Sequence, residues 1–344
     1  MADSVFQNVS AFEVGEQAGL DSLSRVSREV GEPGPGEVLV KTQAASLNYR
    51  DIMVLEGRYG AKKPEDRIPV GDGAGEVVAV GANVAGISVG DRVSAPHFNL
   101  WLDGEYNPSI FAADMGNSAD GWLAEVVRLP ASACVKLPDN LSFESAAALG
   151  AAGITAWRVV EVLGKVKAGD VVLTLGTGGV SIMSLQIAKM NGAKVVITSS
   201  SNEKLELARS LGADTTINYR ERSDWENAVL EETGGADIVV ETVGLSTLDQ
   251  SLAACAPNAR LGFLGALGGM PAEGPKLTAM LIKNVVVQGI TAGSRKNFAD
   301  LLRACSLNGV RPHIDRRFSF DEAPAALEYL ASAQHVGKVV INFG

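Results

Sequence analysis

Gly176, Gly178 and Gly179, followed by Val180, stand just after the short apolar run of Val171, Val172, Leu173 and Leu175. Glycines at this spacing turn a chain from a strand into a helix and leave backbone N–H groups free to meet a pyrophosphate at the helix N-terminus. Ser181 takes the third glycine position of a G-x-G-x-x-G pattern, where close helix–strand contact asks for a small residue. Two other glycine clusters lack this context. Gly71 to Gly81 runs into alternating strand-like residues, and Gly262 to Gly269 opens into Met270 and Pro271.

The choice of dinucleotide is read at the end of the next strand. NAD enzymes place Asp or Glu there to bond the ribose hydroxyls, and a carboxylate repels a 2′-phosphate. Here Ser199, Ser200 and Ser201 follow Val195 to Ile197, with Lys204 one helical turn on. Tyr219 and Arg220 end the following short strand. Hydroxyls and a cation around a phosphate favour NADPH over NADH. The alternative is that Asn202 caps a helix and Lys204 lies on a solvated face.

The elements that must position these residues alternate regularly. After the first strand, Ile182, Met183, Leu185 and Ile187 recur at helical spacing to Asn191, with Gly192 placed to cap. Leu205 to Leu211, Thr216-Ile217, Trp225 to Glu232 and Asp237 to Glu241 continue the pattern, predicting a doubly wound parallel sheet. Leu261 to Leu264 and Val285 to Ile290 supply the last strands, the latter a sheet edge. Residues before about 145 hold short, irregular strands punctuated by Gly and Pro, which predict a partly open barrel. A short helix follows Ala44, and His97 to Gly121 shows no period: a loop over a site, or a surface loop packed on its own aromatics. Ser142 caps a helix read through to Leu163. The end of the chain reads as a return to the first domain.

With 344 residues and 46% hydrophobic content, the chain can bury two cores. A formal charge of -10 argues against nucleic acid or an anionic membrane as partner. No apolar run is long enough to span a bilayer, and the first residues lack a signal-peptide pattern, so a cytoplasmic location is expected. Cys134, Cys255 and Cys305 are three widely spaced thiols, without the pattern of a disulfide framework or zinc ribbon. His97, His313 and His335 are far apart and read as surface or satisfied core residues.

The blocks VLVKTQAASLNYRD, PVGDGAGEVVAVG, VGDRV, GITAW, LGTGGVS, LGAD with INY, and GKVV span almost the whole chain. In this order they resemble the medium-chain dehydrogenase/reductase superfamily, and within it the zinc-independent branch of quinone oxidoreductases and enoyl reductases. The resemblance implies an α/β fold: a Rossmann doubly wound parallel sheet at residues 146–293, inserted into a GroES-like β-barrel domain made of residues 1–145 and 294–344. It also implies a homodimer or homotetramer paired through the edge strand near Val285 to Ile290. Zinc-dependent members hold the metal with a cysteine, a histidine and a second cysteine. The corresponding places here are Asn48, Asp72 and Ala151, and an amide, a carboxylate and a methyl group cannot supply that ligand set. No zinc is expected.

Without a metal, hydride transfer rests on positioning and on donors near the oxygen that gains charge. A conjugated carbonyl spreads that charge, so the resemblance leads to NADPH-dependent reduction of a quinone or an activated C=C, an enone or enal. It places Asn48 beside the nicotinamide and substrate, Tyr59 or Tyr49 toward the pocket as proton donor, and Thr155 on the carboxamide; solvent could supply the proton instead. Val243, Gly265, Leu267, Thr291 and Lys338 are expected near the cofactor. Simpler roles stand beside these: Asn48 capping the short helix, Asp51 holding a turn with Arg50, Tyr59 in the core, Asp72 bonding N–H groups of its own glycine turn, and Lys338 solvated at a strand end. The competing functions are an alcohol dehydrogenase or carbonyl reductase working without zinc, and an NADPH-binding protein without activity.

Overall fold

The structure, a computed structural model, describes residues 8–265 and 274–344. One compact unit runs to Ile154 and resumes at Gly293; the other holds Thr155–Ala292. The division thus comes after Ile154 rather than after residue 145, because the chain passes from one unit to the other within a helical stretch, where composition marks no boundary.

The first unit opens with β1 (Val9–Glu13), β2 (Ser24–Arg28), β3 (Glu37–Ser46), α1 (Tyr49–Leu55), β4 (Asp72–Val80) and β5 (Arg92–Ser94). β6 (Val126–Pro130), β7 (Val135–Lys136) and α2 (Phe143–Ala148) follow. Ser142 caps α2 by accepting from the Ser145 N–H at 3.1 Å. The helix read from Ser142 to Leu163 is in fact three pieces: α2, α3 (Ala151–Trp157) and a π-helical turn, Arg158–Leu163. At the first break the Asp72 carboxylate accepts from the Ala151 N–H, and Gly150 gives it room, since a Cβ there would lie 2.4 Å from the carboxyl carbon. His97 to Gly121 is aperiodic but built. It contains a short 3-10 helix, Pro108–Ala113, and packs its own rings, Phe98 on Phe111 at 5.1 Å and Trp101 on Tyr106 at 5.8 Å.

The second unit contains β8 (Val171–Leu175), α4 (Gly179–Met190), β9 (Lys194–Ser199), α5 (Asn202–Ser210), β10 (Thr215–Asn218) and α6 (Trp225–Thr233). It continues with β11 (Ala236–Glu241), α7 (Leu248–Ala254), β12 (Cys255–Phe263), α8 (Thr278–Ile282) and β13 (Val286–Gly289). The six strands pair in the order β10-β9-β8-β11-β12-β13, every neighbour parallel. β8 is buried at all five positions, which explains why four of them are apolar and Thr174 alone is polar. The strand order reverses between β8 and β11, the place where open α/β sheets take ligands at their carboxyl edge. α4 ends at Asn191, with Gly192 left-handed at φ +77.

The chain then returns through α9 (Arg295–Asn308), β14 (Ile314–Ser319), α10 (Ala323–Ala331) and β15 (Lys338–Asn342). β15 runs antiparallel to β3, with Val340 opposite Ser46, and parallel to β14. This closes the order β14-β15-β3-β4-β5-β7, with β6 paired to β3. Trp122, Leu47, Leu55, Leu123 and Leu129 fill the core beneath it. The pairing of β15 with β3 carries Lys338 to the end of β3, where Leu47 and Asn48 begin the turn into α1.

Candidate active site

In the Thr155–Ala292 unit, six parallel strands put six turns on one rim, and most of the cofactor candidates sit in those turns. Gly176, Gly178, Gly179 and Val180 follow β8. Gly176 is left-handed at φ +72, a conformation that favours glycine. Gly178 is the N-cap of α4 at φ −75, and among the described residues no side chain caps this helix and nothing lies within 4 Å of where a Gly178 Cβ would be. Free N–H groups at a helix start beside open space are what an anionic pyrophosphate needs. Ser181 is buried and its hydroxyl donates to the Leu175 carbonyl at 2.6 Å, tying the helix to the strand end where the third glycine usually allows close contact.

Ser199 ends β9 and Ser200 follows it, while Tyr219 follows β10 with its N–H donating to the Ser199 carbonyl at 3.1 Å. The cap of α5 is Ser201, whose hydroxyl accepts from the Lys204 N–H at 3.4 Å. Asn202, the alternative cap, instead donates to Glu221 at 2.6 Å and accepts from Asn218 at 2.9 Å. A carboxylate, Glu221, therefore lies on this rim, beyond the end of β9. Lys204 is half-buried in the first turn of α5.

Val243 follows β11, Gly265 follows β12, and Thr291 follows β13. Glu241, wholly buried at the end of β11, was missed as more than a strand residue. Its carboxylate accepts from the Val243 N–H at 2.8 Å, the Gly244 N–H at 2.9 Å and the Thr247 hydroxyl at 3.0 Å, while its carbonyl accepts from Leu264 and Gly265. One residue thus fixes two of the six turns. A carboxylate ending a buried apolar run was the signal that could have found it. Thr155 is buried in the same unit. Leu267 lies outside the described residues, as do Gly269, Met270 and Pro271.

In the other unit, the three positions matched to zinc ligands come together as a hydrogen-bond network. Asp72 is 0% exposed, and both its oxygens accept from the Ala151 N–H, at 2.9 and 2.8 Å; one also accepts from Asn48 Nδ2 at 2.7 Å. Asp72 therefore bonds across to another element, not within its own glycine turn. Lys338 is 3% exposed rather than solvated, and its Nζ donates to the Leu47 carbonyl at 2.6 Å and to Asn48 Oδ1 at 2.7 Å. The Asp51 carboxylate accepts from the Asn48 N–H at 2.7 Å and leaves its second oxygen buried without a partner. Asn48 does cap α1, in a capping box with Asp51 and with its backbone carbonyl accepting from the Asp51 N–H at 2.9 Å; its carboxamide also serves the network.

Burial raises the Asp51 acid to about 6, partly offset by Arg50. Burial likewise raises Asp72 against the pull of Lys338, and lowers Lys338. Arg50 is not Asp51's turn partner; it pairs with Asp114 at 2.7 Å, donates to the Met115 carbonyl at 2.9 Å, and lies over the Tyr59 ring at 5.0 Å. Tyr59 is half-buried, packed on the core as the simpler role has it, and burial raises its phenol. Tyr49 is 44% exposed, with its hydroxyl accepting from Arg58 at 3.5 Å. His97 is buried with Nδ1 unpartnered, so it is a core residue but not a satisfied one. All three cysteines are buried free thiols.

The Asp51 shift gives a prediction. Folded protein holds this proton more tightly than the unfolded chain, whose ordinary value is 3.8, so wild-type stability declines as pH rises from about 4 to 6. The charges facing Asp51 are Arg50, Asp72 and Lys338. Asp51→Asn is expected to remove that decline, gaining on the order of 3 kcal/mol above pH 6 and nothing below pH 4. Urea unfolding of both proteins across this range checks it; a difference that does not change with pH refutes it.

Family models match on both segments: the alcohol dehydrogenase GroES-like domain over residues 34–139 and the zinc-binding dehydrogenase over residues 179–306. A zinc-type alcohol dehydrogenase-like protein of Schizosaccharomyces pombe is 41% identical over 340 residues, covering 95% of this chain and 97% of the relative. A quinone oxidoreductase of Pseudomonas aeruginosa is 32% identical over 325 residues, covering 90% and 92%. Among solved structures, a protein of Sinorhizobium meliloti 1021 assigned as an alcohol dehydrogenase superposes with TM-score 0.90 at 40% identity, covering 98% of this chain and 99% of its own. A mycobacterial protein solved with NADPH gives TM-score 0.80 at 29% identity, covering 97% and 99%. The zinc in one family description does not fit the residues present. Asp72 has both oxygens engaged, Asn48 and Ala151 offer no imidazole or thiolate, and no three His, Cys, Asp or Glu gather into a metal site among the described residues.

Proposed function

Because this chain belongs to the medium-chain dehydrogenase/reductase superfamily, we propose that it is a zinc-independent, NADPH-dependent oxidoreductase that passes a hydride to a quinone or to a C=C conjugated with a carbonyl. The observation that carries this reading is the network of Asn48, Asp72, Ala151 and Lys338, which closes with an ammonium where zinc-dependent members hold a metal. The relative named quinone oxidoreductase supports the substrate class. Names of alcohol dehydrogenase type among the relatives favour the second reading, oxidation of an alcohol or reduction of a simple carbonyl.

NADPH is supported by the absence of a carboxylate at the end of β9, by Lys204 and Arg220 beside Ser199 and Ser200, and by the mycobacterial relative solved with it. The chemistry the cofactor supplies when bound is a hydride. Gly176, Gly178, Gly179 and Val180 would take its pyrophosphate, and Ser199, Ser200, Lys204 and Tyr219 its adenosine phosphate. Thr155, Val243, Gly265, Leu267 and Thr291 would line its nicotinamide. Asn48 donates to the substrate oxygen, and Tyr59, Tyr49 or solvent gives the proton. Val286, 52% exposed on the edge strand β13, with Leu281 and Ile282 exposed on α8, suits pairing with a second copy as a homodimer or homotetramer. No described helix is long and apolar enough to cross a membrane, which accords with a cytoplasmic enzyme.

Chelator-treated protein is tested with NADPH or NADH against 1,4-benzoquinone and 2-cyclohexen-1-one, and with NADP and simple alcohols. The expected result is quinone or enone reduction unaffected by the chelator, with NADPH bound at least about tenfold more tightly than NADH, a difference of about 1.4 kcal/mol. Alcohol oxidation alone favours the second reading; tighter NADH or zinc-restored activity rejects the first.

A further inference from the structure

The carboxamide of Asn48 is held at both ends by groups that fix which end is which. Lys338 can only donate, so it takes Oδ1; the Asp72 carboxylate can only accept, so it takes Nδ2. A reversed amide would set N–H against ammonium and oxygen against carboxylate. The Nδ2 group has two hydrogens. One is spent on Asp72 at 2.7 Å, and the other has, among the described residues, only the Ser46 carbonyl at 3.5 Å. Asp51, Asp72 and Lys338 are buried, whereas Asn48 is half-buried and is the member of the four that reaches the surface. The cluster therefore ends outward in one weakly committed N–H.

We propose that Lys338 is a positioning residue for reduction: by pinning Asn48 Oδ1 it turns the second Nδ2–H of Asn48 into a fixed donor for the substrate oxygen that gains negative charge. This rests on the proposed reading that the substrate carries a conjugated carbonyl or is a quinone. Bonds aimed in advance at developing charge need no rearrangement during hydride transfer. Lys338 itself touches neither substrate nor solvent in this arrangement, so its contribution passes through Asn48.

The test compares wild-type protein, Lys338→Met, Asn48→Ala and the double variant, with saturating NADPH and 1,4-benzoquinone or 2-cyclohexen-1-one. Asn48→Ala is expected to lower kcat roughly 100-fold, as loss of one such donor does. Lys338→Met is expected to lower kcat on the order of tenfold with KM for NADPH unchanged, and to add nothing in the Asn48→Ala background. Additive losses overturn the proposal. Should Lys338→Met alone not fold, the charge-balanced pair Lys338→Met with Asp72→Asn decides: restored thermal stability with kcat still low supports positioning, and regained kcat makes Lys338 a mere counter-charge. A further readout needs no turnover. In asparagine-labelled protein, the Asn48 side-chain amide signals, identified by their loss in Asn48→Ala, should show two well-separated protons, one bonded to Asp72. Lys338→Met should collapse that separation; an unchanged pair overturns the proposal. Wild-type protein inert toward both probes rejects the functional reading, and the amide signals still decide the role of Lys338.

Discussion

Gly178→Val is expected to fold and to bind NADPH far more weakly than the wild-type protein. The position has φ −75 and ψ −177, extended backbone that valine adopts freely, and a Cβ there meets no atom of the described residues within 4 Å. The cost to the fold is confined to the weaker N-cap preference of valine, about 1 kcal/mol. The space the side chain enters is the space over the first turn of α4, where the cofactor's pyrophosphate must reach the helix N–H groups. We expect affinity to fall about 100-fold or more, roughly 2.8 kcal/mol, while the thermal midpoint without ligand moves by a few degrees. Fluorescence titration with NADPH beside a thermal melt measures both. Wild-type affinity in the variant removes the β8–α4 turn from the binding site.

Asp72→Ala is expected to be the most damaging single substitution in the other unit. It removes one of the two carboxylates that face the buried Lys338, leaving Asp51, and strips the acceptor from Asn48 Nδ2 and the Ala151 N–H. Breaking a buried charge pair from one side costs about 3–5 kcal/mol. Asp72→Asn keeps one acceptor oxygen and should cost less, and adding Lys338→Met to Asp72→Ala should return part of the loss. Urea unfolding at pH 7.5 gives all three values. A loss under about 1 kcal/mol for Asp72→Ala means that Lys338 finds compensation elsewhere.

The dinucleotide half could be read because its information is local. Leu175, the glycines, Ile182 and Leu185 lie within one strand, one turn and one helix, and each carries its own period or turn chemistry. Serines in a row were less legible: Ser199, Ser200 and Ser201 are equivalent as letters, and only the backbone decides that Ser201 caps α5. The Asn48 network was readable in its members and not in its bonding. Lys338 and Asn48 are 290 positions apart and meet through the register of β15 on β3, which no local pattern encodes. The helix after Ser142 was read as continuous because Ala and Gly keep the helical period across Gly150. The Asp72 carboxylate seated against that glycine accepts from the Ala151 N–H at the point where α2 and α3 divide.

β15 also makes the reactive edge of its unit hostage to a distant pairing. Lys338 lies on β15 and Asn48 just past β3, so the Asn48 carboxamide is anchored at its oxygen only while strands 290 positions apart stay in register. The glycine turn before α4 depends on neighbours in sequence instead. Loosening β15 from β3 is therefore expected to release the Asn48 side chain and to leave that turn as it is.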